Sequence, residues 1–183
     1  MIKLFIGTYN QIITLAILKE GKLLCMKEHT SERSHSKKLI PLLDEVLKEA
    51  NFTAKDLKEI IVINGPGSFT GVRLGVTVAK TLAYTLDIGV KTISSIEAIG
   101  VSDNSLNKKI VSIPDPKGFY YGFFENNTLV GEISYSHELP AGKQVDGSYL
   151  DVEKIDAYLK GAKALHAHAV KALYIKTIEV QNG

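Results

Sequence analysis

Residues Asn64 to Leu86 read NGPGSFTGVRLGVTVAKTLAYTL, and the run Glu59-Ile60-Ile61-Val62-Ile63 stands directly before them. β-Branched side chains pack well on a pleated surface, so that run predicts a strand. Asn64-Gly65-Pro66-Gly67 then concentrates turn chemistry, with two glycines able to take positive φ beside a proline that fixes its own. Ser68 or Thr70 can cap a helix that starts there. The expectation is strand, tight turn, helix. Free N–H groups at such a helix start attract anions, which makes Gly65, Gly67, Ser68 and Thr70 a candidate anion-binding turn. A turn with a purely structural role is the alternative, since neither G-x-x-x-x-G-K-[ST] nor G-x-G-x-x-G fits these residues.

The helix carries a second signal. At about 100° per residue, Gly71, Gly75, Ala79 and Ala83 form one column of small side chains. Leu74, Val78 and Leu82 flank it on one side, Val72 and Val76 on the other. Arg73, Thr77, Lys80, Thr81 and Tyr84 gather opposite. The apolar arc covers roughly 200°, against a little over 100° for an ordinary surface helix, so it needs cover from two directions. One cover is the chain's own sheet. The other is expected to be a second helix, brought close by the glycines. On this reading Gly75→Leu blocks pairing while the fold survives. Cover from within the same chain is the alternative.

The 183 residues fit one sizeable domain or two small lobes, and 45% hydrophobic with 23% charged residues is an ordinary globular composition. A net charge of +2 gives no concentrated basic face of the kind a free-standing nucleic-acid binder shows. Cys25 is the single cysteine, set in the apolar run Leu23-Leu24-Cys25-Met26, and reads as buried filler with no intrachain disulfide. No apolar run approaches membrane-spanning length and no secretory pattern opens the chain. A cytoplasmic protein without membrane contact is expected.

Ile2–Ile6, Ile12–Leu18 and Leu23–Glu28 read as three strands of an antiparallel meander. Leu39, Leu42, Leu43, Val46, Leu47 and Ala50 recur at helical spacing, so a helix spans about Ser36 to Ala50. Pro41 argues that it begins late or kinks near its start. Ile60–Ile63 follows as a fourth strand, its helical connection implying parallel pairing, then the long helix, a strand at Val90–Ile93 and a short helix over Ser95–Val101. Past the polar stretch Asp103–Lys109 the pattern restarts. Strands are expected at Ile110–Ile113, Phe119–Phe124 and Thr128–Val130, helices at Val152–Leu159 and Leu165–Leu173, and a β-leaning end at Tyr174–Val180. Three strands, a helix, a strand and a helix is the order of a ribonuclease-H-like lobe, followed here by an abbreviated copy. The fold class is therefore α/β: the two-lobe, actin-like ATPase architecture with mixed sheets, its lobes at 1–102 and 103–183.

GPGSFTGVRLGVTVAKTLA (residues 65–83) closely resembles the signature of the TsaB (YeaZ) family, the non-catalytic partner in bacterial threonylcarbamoyladenosine modification of tRNA. Supporting stretches run along the chain. His35-Ser36-Lys37-Lys38-Leu39-Ile40-Pro41 is similar to that family's H-[ST]-x-x-[IL]-[IL]-P helix start. Gly89-Val90-Lys91-Thr92-Ile93-Ser94-Ser95 resembles its strand before the third helix. Asp115-Pro116-Lys117 with Tyr120 and Tyr121 is similar to D-A-R-x-x-x-Y, and Leu173-Tyr174-Ile175-Lys176 to P-x-Y-[LI]-R. Two features depart from the pattern. The family opens I-D-T-[ST], whereas this chain has Ile6-Gly7-Thr8-Tyr9, losing a carboxylate that holds metal and phosphate in actin-like ATPases. The chain is also shorter after Ser136.

The resemblance implies a scaffold with no catalytic residue and no cofactor or metal of its own. It would pair with a TsaD-like catalytic subunit that carries ATP and metal, be joined by a TsaE-like ATPase, and reach tRNA only through the complex. Alone, it would form a homodimer. Leu39, Leu43 and Val46 of the first helix, with Gly71, Leu74, Gly75, Val78, Ala79 and Leu82 of the long one, are the expected interface. The alternative class is an enzyme, either a small actin-like phosphotransferase or a peptidase homologue, which would need paired carboxylates at the cleft. Ser68 has no neighbouring base in sequence. Neither His29 with His35 nor His166 with His168 has ligand-pair spacing. Asp115 is a candidate polar-site residue or a turn former, and Arg73 and Lys117 are candidate anion contacts or solvated charges.

Overall fold

The computed structural model describes residues 1–30, 35–145 and 149–175. The first sheet orders its strands β3-β2-β1-β4-β5, with β1 at Ile2–Gly7, β2 at Ile12–Lys19, β3 at Lys22–Thr30, β4 at Glu59–Ile63 and β5 at Gly89–Ile93. β1, β2 and β3 pair antiparallel; β4 joins β1 and β5 joins β4 in parallel. This is the ribonuclease-H-like order the sequence predicts. Every residue of β4 is buried. A strand apolar on both sides needs helices on both faces of its sheet, and the helices supply them.

Helix α1 (His35–Glu49) places Leu39, Leu42, Leu43, Val46 and Leu47 in the core. It begins at His35 and continues past Pro41, so it does not begin late. Helix α2 (Phe69–Leu86) is capped by Ser68, whose Oγ accepts from Gly71 N–H at 3.2 Å. Helix α3 (Ser95–Ser102) starts at a capping box, the Ser94 oxygen accepting from Glu97 N–H and the Glu97 carboxylate from Ser94 N–H.

The second sheet runs β8-β7-β6-β9, from β6 at Lys108–Asp115, β7 at Gly118–Glu125, β8 at Thr128–Ser136 and β9 at Gln144–Val145. β9 pairs parallel with β6, so the sheet repeats the first four positions of the first one. β8 is longer than the sequence predicts, and the short β9 escapes that reading. α3 lies against this sheet. A Cβ on Gly100 would fall 2.2 Å from the Phe124 ring, and one on Gly122 2.9 Å from Ile96. The two glycines let ring and helix meet flush, which buries α3 nearly all round.

The end of the chain returns to the first lobe. Helix α4 (Val152–Tyr158) brings Asp156 to Lys3, and Lys3 also pairs with Glu59 at 3.3 Å, in a cluster that Lys91 completes. Burial works to lower the Lys3 pKa, but Asp156 and Glu59 outweigh it and hold the value raised. Leu165 exchanges backbone hydrogen bonds with Val90, extending the edge of β5. The helix expected over Leu165–Leu173 does not form. That segment holds the bridge, one short turn of 3₁₀-helix at Ala167–Ala169 and extended chain, because its backbone groups bond to β5 and Asn64 instead. Of the β-leaning end, Tyr174 and Ile175 lie in no element, and the rest falls outside the described residues.

Candidate functional site

The small-residue column of α2 faces inward. An ideal Cβ on Gly71 would stand 2.1 Å from the Thr8 carbonyl oxygen, and one on Gly75 2.3 Å from Thr8 Oγ1. Thr8 is fully buried at the end of β1, and its hydroxyl donates to the Gly71 carbonyl at 2.7 Å. Ala79 is likewise fully buried. The glycines allow a helix to touch its own strand, not a second molecule. Gly71, Gly75 and Ala79 are therefore not on an accessible interface, and the expectation that Gly75→Leu spares the fold is overturned. Leu39, Leu43 and Val46 also point into the core. Only Leu74, Val78 and Leu82 of the expected set stay half-buried, packed against the core's edge.

What α2 shows to solvent is different in kind. Phe69, Thr70, Arg73, Thr77, Thr81, Tyr84 and Thr85 are exposed beside those three half-buried residues. Thr81 Oγ1 donates to the Thr77 carbonyl at 2.9 Å and Thr85 Oγ1 to the Thr81 carbonyl at 2.8 Å. Both hydroxyls are thereby satisfied within the helix and need no outside partner. Thr77 and Thr81 lie on the side that helical position sets opposite the small-residue column. On α1 the exposed apolar residue is Ile40, at 55%. It escaped the sequence reading because it falls off the periodic stripe that carries the core.

The glycine turn is knitted into the fold. Ser68 N–H donates to the Tyr9 carbonyl at 2.7 Å, Ser68 Oγ takes Gly71 N–H, and Ser95 bonds the Gly65 and Pro66 carbonyls. A Cβ on Gly67 would lie 2.3 Å from the Tyr9 oxygen, at a φ of +151°. Two donors that an anion at this helix start would use are already engaged. The turn borders an interlobe cleft of about 1740 Å³, lined among others by Tyr9, Thr70, Asp115, Lys117 and Tyr135. Asp115 accepts from Tyr135 at 3.2 Å and from Lys117 N–H at 3.4 Å, the latter a turn former's bond. Burial, with Glu28 nearby, pushes the Tyr9 phenol up to about 12.

No hydrogen bond among the described residues joins Ser68 to a histidine or a carboxylate. His35 meets the Asn10 carbonyl and His168 packs edge-on to Tyr84. Among the described residues, no three His, Cys, Asp or Glu side chains gather closely enough to hold a metal ion. No helix there is long and apolar enough to cross a membrane.

The sequence model of the TsaD family, tRNA N6-adenosine threonylcarbamoyltransferase, matches residues 27–115. The Bacillus subtilis (strain 168) protein named tRNA threonylcarbamoyladenosine biosynthesis protein TsaB is 35% identical over 133 residues, 71% of this chain and 58% of that protein. A solved Pseudomonas aeruginosa structure named YeaZ superposes with a TM-score of 0.81 at 19% identity, over 94% of this chain and 99% of that one. The chain belongs to the TsaB (YeaZ) family. The Escherichia coli (strain K12) TsaB is 27% identical over 126 residues, 64% of this chain and 52% of its own length. Against its curated TsaB relatives the chain spans between 40% and 62% of their length. Fold and family agree: a reduced, two-lobe actin-like structure carries the TsaB signature at the turn into α2.

Proposed function

We propose that this chain is a non-catalytic subunit of the tRNA threonylcarbamoyladenosine modification machinery, docking a TsaD-like catalytic subunit on the outer face of α2. The observation that carries this reading is that face: Leu74, Val78 and Leu82 half-open beside exposed threonines, of which Thr81 and Thr85 spend their hydroxyls on the helix's own carbonyls. Gly71, Gly75, Ala79, Leu39, Leu43 and Val46 act from beneath, fixing how the two helices sit. Burying such a ridge against a partner helix removes apolar surface from water without stranding a donor. The same face pairs with a second copy when the catalytic subunit is absent.

ATP, metal and the transfer to adenosine belong to the TsaD-like subunit on this reading, a TsaE-like ATPase joins the pair, and tRNA is met only in the assembly. Gly7, standing where the family's opening motif has aspartate, supports a role without nucleotide chemistry. The subunit's work is to cover and order its partner. Sizing chromatography of the chain mixed with the TsaD-like subunit of the same organism tests this. Thr81→Arg changes an exposed residue, so the thermal midpoint is expected to stay within a few degrees while the complex peak disappears. A complex that forms equally well with Thr81→Arg and with Leu74→Asp removes α2 as the docking face.

A further inference from the structure

The N-terminal part of α2 holds a built cation. The guanidinium of Arg73 lies 3.6 Å from the Phe69 ring centroid and 5.7 Å from that of Tyr174, and the rings are 6.2 Å apart. Arg73 Nε donates to the Tyr174 hydroxyl at 2.8 Å. Tyr174 is held in turn, because the neighbouring Leu173 N–H bonds the Asn64 carbonyl at 2.7 Å. Phe69 and Tyr174 remain 55% and 57% exposed, so the clamp stands at the surface. No ion pair among the described residues includes Arg73. With Nε engaged and the plane stacked, the terminal N–H groups form a fixed fork of the shape that a carboxylate fits.

We infer that Arg73, clamped between Phe69 and Tyr174, is the polar anchor of the α2 face and receives a carboxylate from an acidic helix of the catalytic subunit. This rests on the docking face proposed above and names the chemistry of what lands on it. Charge supports the choice. From Phe69 to Leu86 the helix has no acidic residue, and Arg73 and Lys80 are its only charges. A phosphate backbone needs a run of cations, whereas one oriented arginine beside an apolar ridge matches a single acidic side chain at the border of a helix pair. Arginine flanked by aromatic rings is also the composition of an interface hot spot. Because the clamp orders the side chain before the partner arrives, docking loses less freedom than with a loose arginine.

The test uses the full chain and the TsaD-like subunit of the same organism, with affinity read at low and high salt. Arg73→Gln is expected to weaken binding ten- to a hundredfold and to flatten its salt dependence. Arg73→Lys keeps the charge but loses the fork, and recovers only part of that. Phe69→Ala releases the clamp and weakens binding several-fold with the arginine intact. Reversing the charge as Arg73→Glu, then rescuing it with lysine in place of one acidic residue on the partner, identifies the recipient. If Thr81→Arg abolishes the complex while Arg73→Gln binds like wild type, the anchor is wrong and the docking face stands. If neither change has an effect, the face itself is wrong. If Arg73→Gln spares subunit binding and instead loosens tRNA on the assembled complex, phosphate is the ligand and the inference is overturned.

Discussion

The two sides of α2 meet their neighbours by opposite means. The inner side is glycine and alanine, drawn so close to β1 that the Thr8 hydroxyl fits between. The outer side has ordinary-sized residues, the half-open Leu74, Val78 and Leu82 and threonines, of which Thr81 and Thr85 have their hydroxyls satisfied. Small side chains here mark a contact already made. Shape is fixed on the inside, and recognition is left to the outside.

Reversing the inner contact gives the largest effect. A methyl on Gly71 meets a backbone oxygen that cannot move away, and a leucine on Gly75 must displace the buried Thr8 hydroxyl. Overpacking of this kind costs about 1–3 kcal/mol and occasionally more, a large share of a total stability of roughly 5–15 kcal/mol. Gly75→Leu is expected to accumulate as insoluble chain, and Gly71→Ala to lower the urea midpoint by a third or more. Combining Thr8→Ala with Gly75→Ala removes the clashing oxygen, so the pair is expected to be more stable than the two separate losses sum to. Simple additivity would mean that the glycine is not there for Thr8.

The same contrast explains what the sequence could tell. The strands were legible because β4 is apolar after Glu59 and the strand lengths, turns and one helical crossover leave few topologies. A cap at Ser68 or Thr70 and the stripe Leu39–Leu47 were legible because capping and periodicity are local; the structure chooses Ser68. Which side of α2 faces the sheet was not. A column of glycines satisfies a partner helix and a partner strand alike, and only the long-range approach of Thr8 decides. Periodicity also hid Ile40, which lies off the buried stripe. Phe69 and Arg73 are one helical turn apart, but Tyr174 joins them across a separation of 101 residues that no local pattern carries.

A titration sharpens the comparison, since the buried residue next to Thr8 is a phenol. Burial pushes Tyr9 up to about 12 from 10.0. Its native pKa is raised, so its contribution to stability is whole below pH 10 and is lost as pH rises towards 12. Two pH units correspond to about 2.7 kcal/mol. Urea midpoints at pH 9 and 11.5 are expected to fall less in Tyr9→Phe than in the wild type. An equal fall in both would place the alkaline loss elsewhere, and subunit docking over pH 7–9 is expected to be flat with respect to this group.

The smallest effect decides what the outer side offers. Thr81→Val keeps the outward shape and deletes a hydroxyl that only bonds back to Thr77. Stability is expected to stay within about 0.5 kcal/mol, as for surface changes away from special features. Affinity for the TsaD-like subunit is expected to stay within twofold. A tenfold loss would mean that the partner takes the hydroxyl for itself, making the ridge a hydrogen-bonding surface and removing the reason for reading that hydroxyl as one that needs no outside partner. Unchanged docking by the valine, set against abolished docking by Thr81→Arg, would leave shape as the property this side of the helix presents.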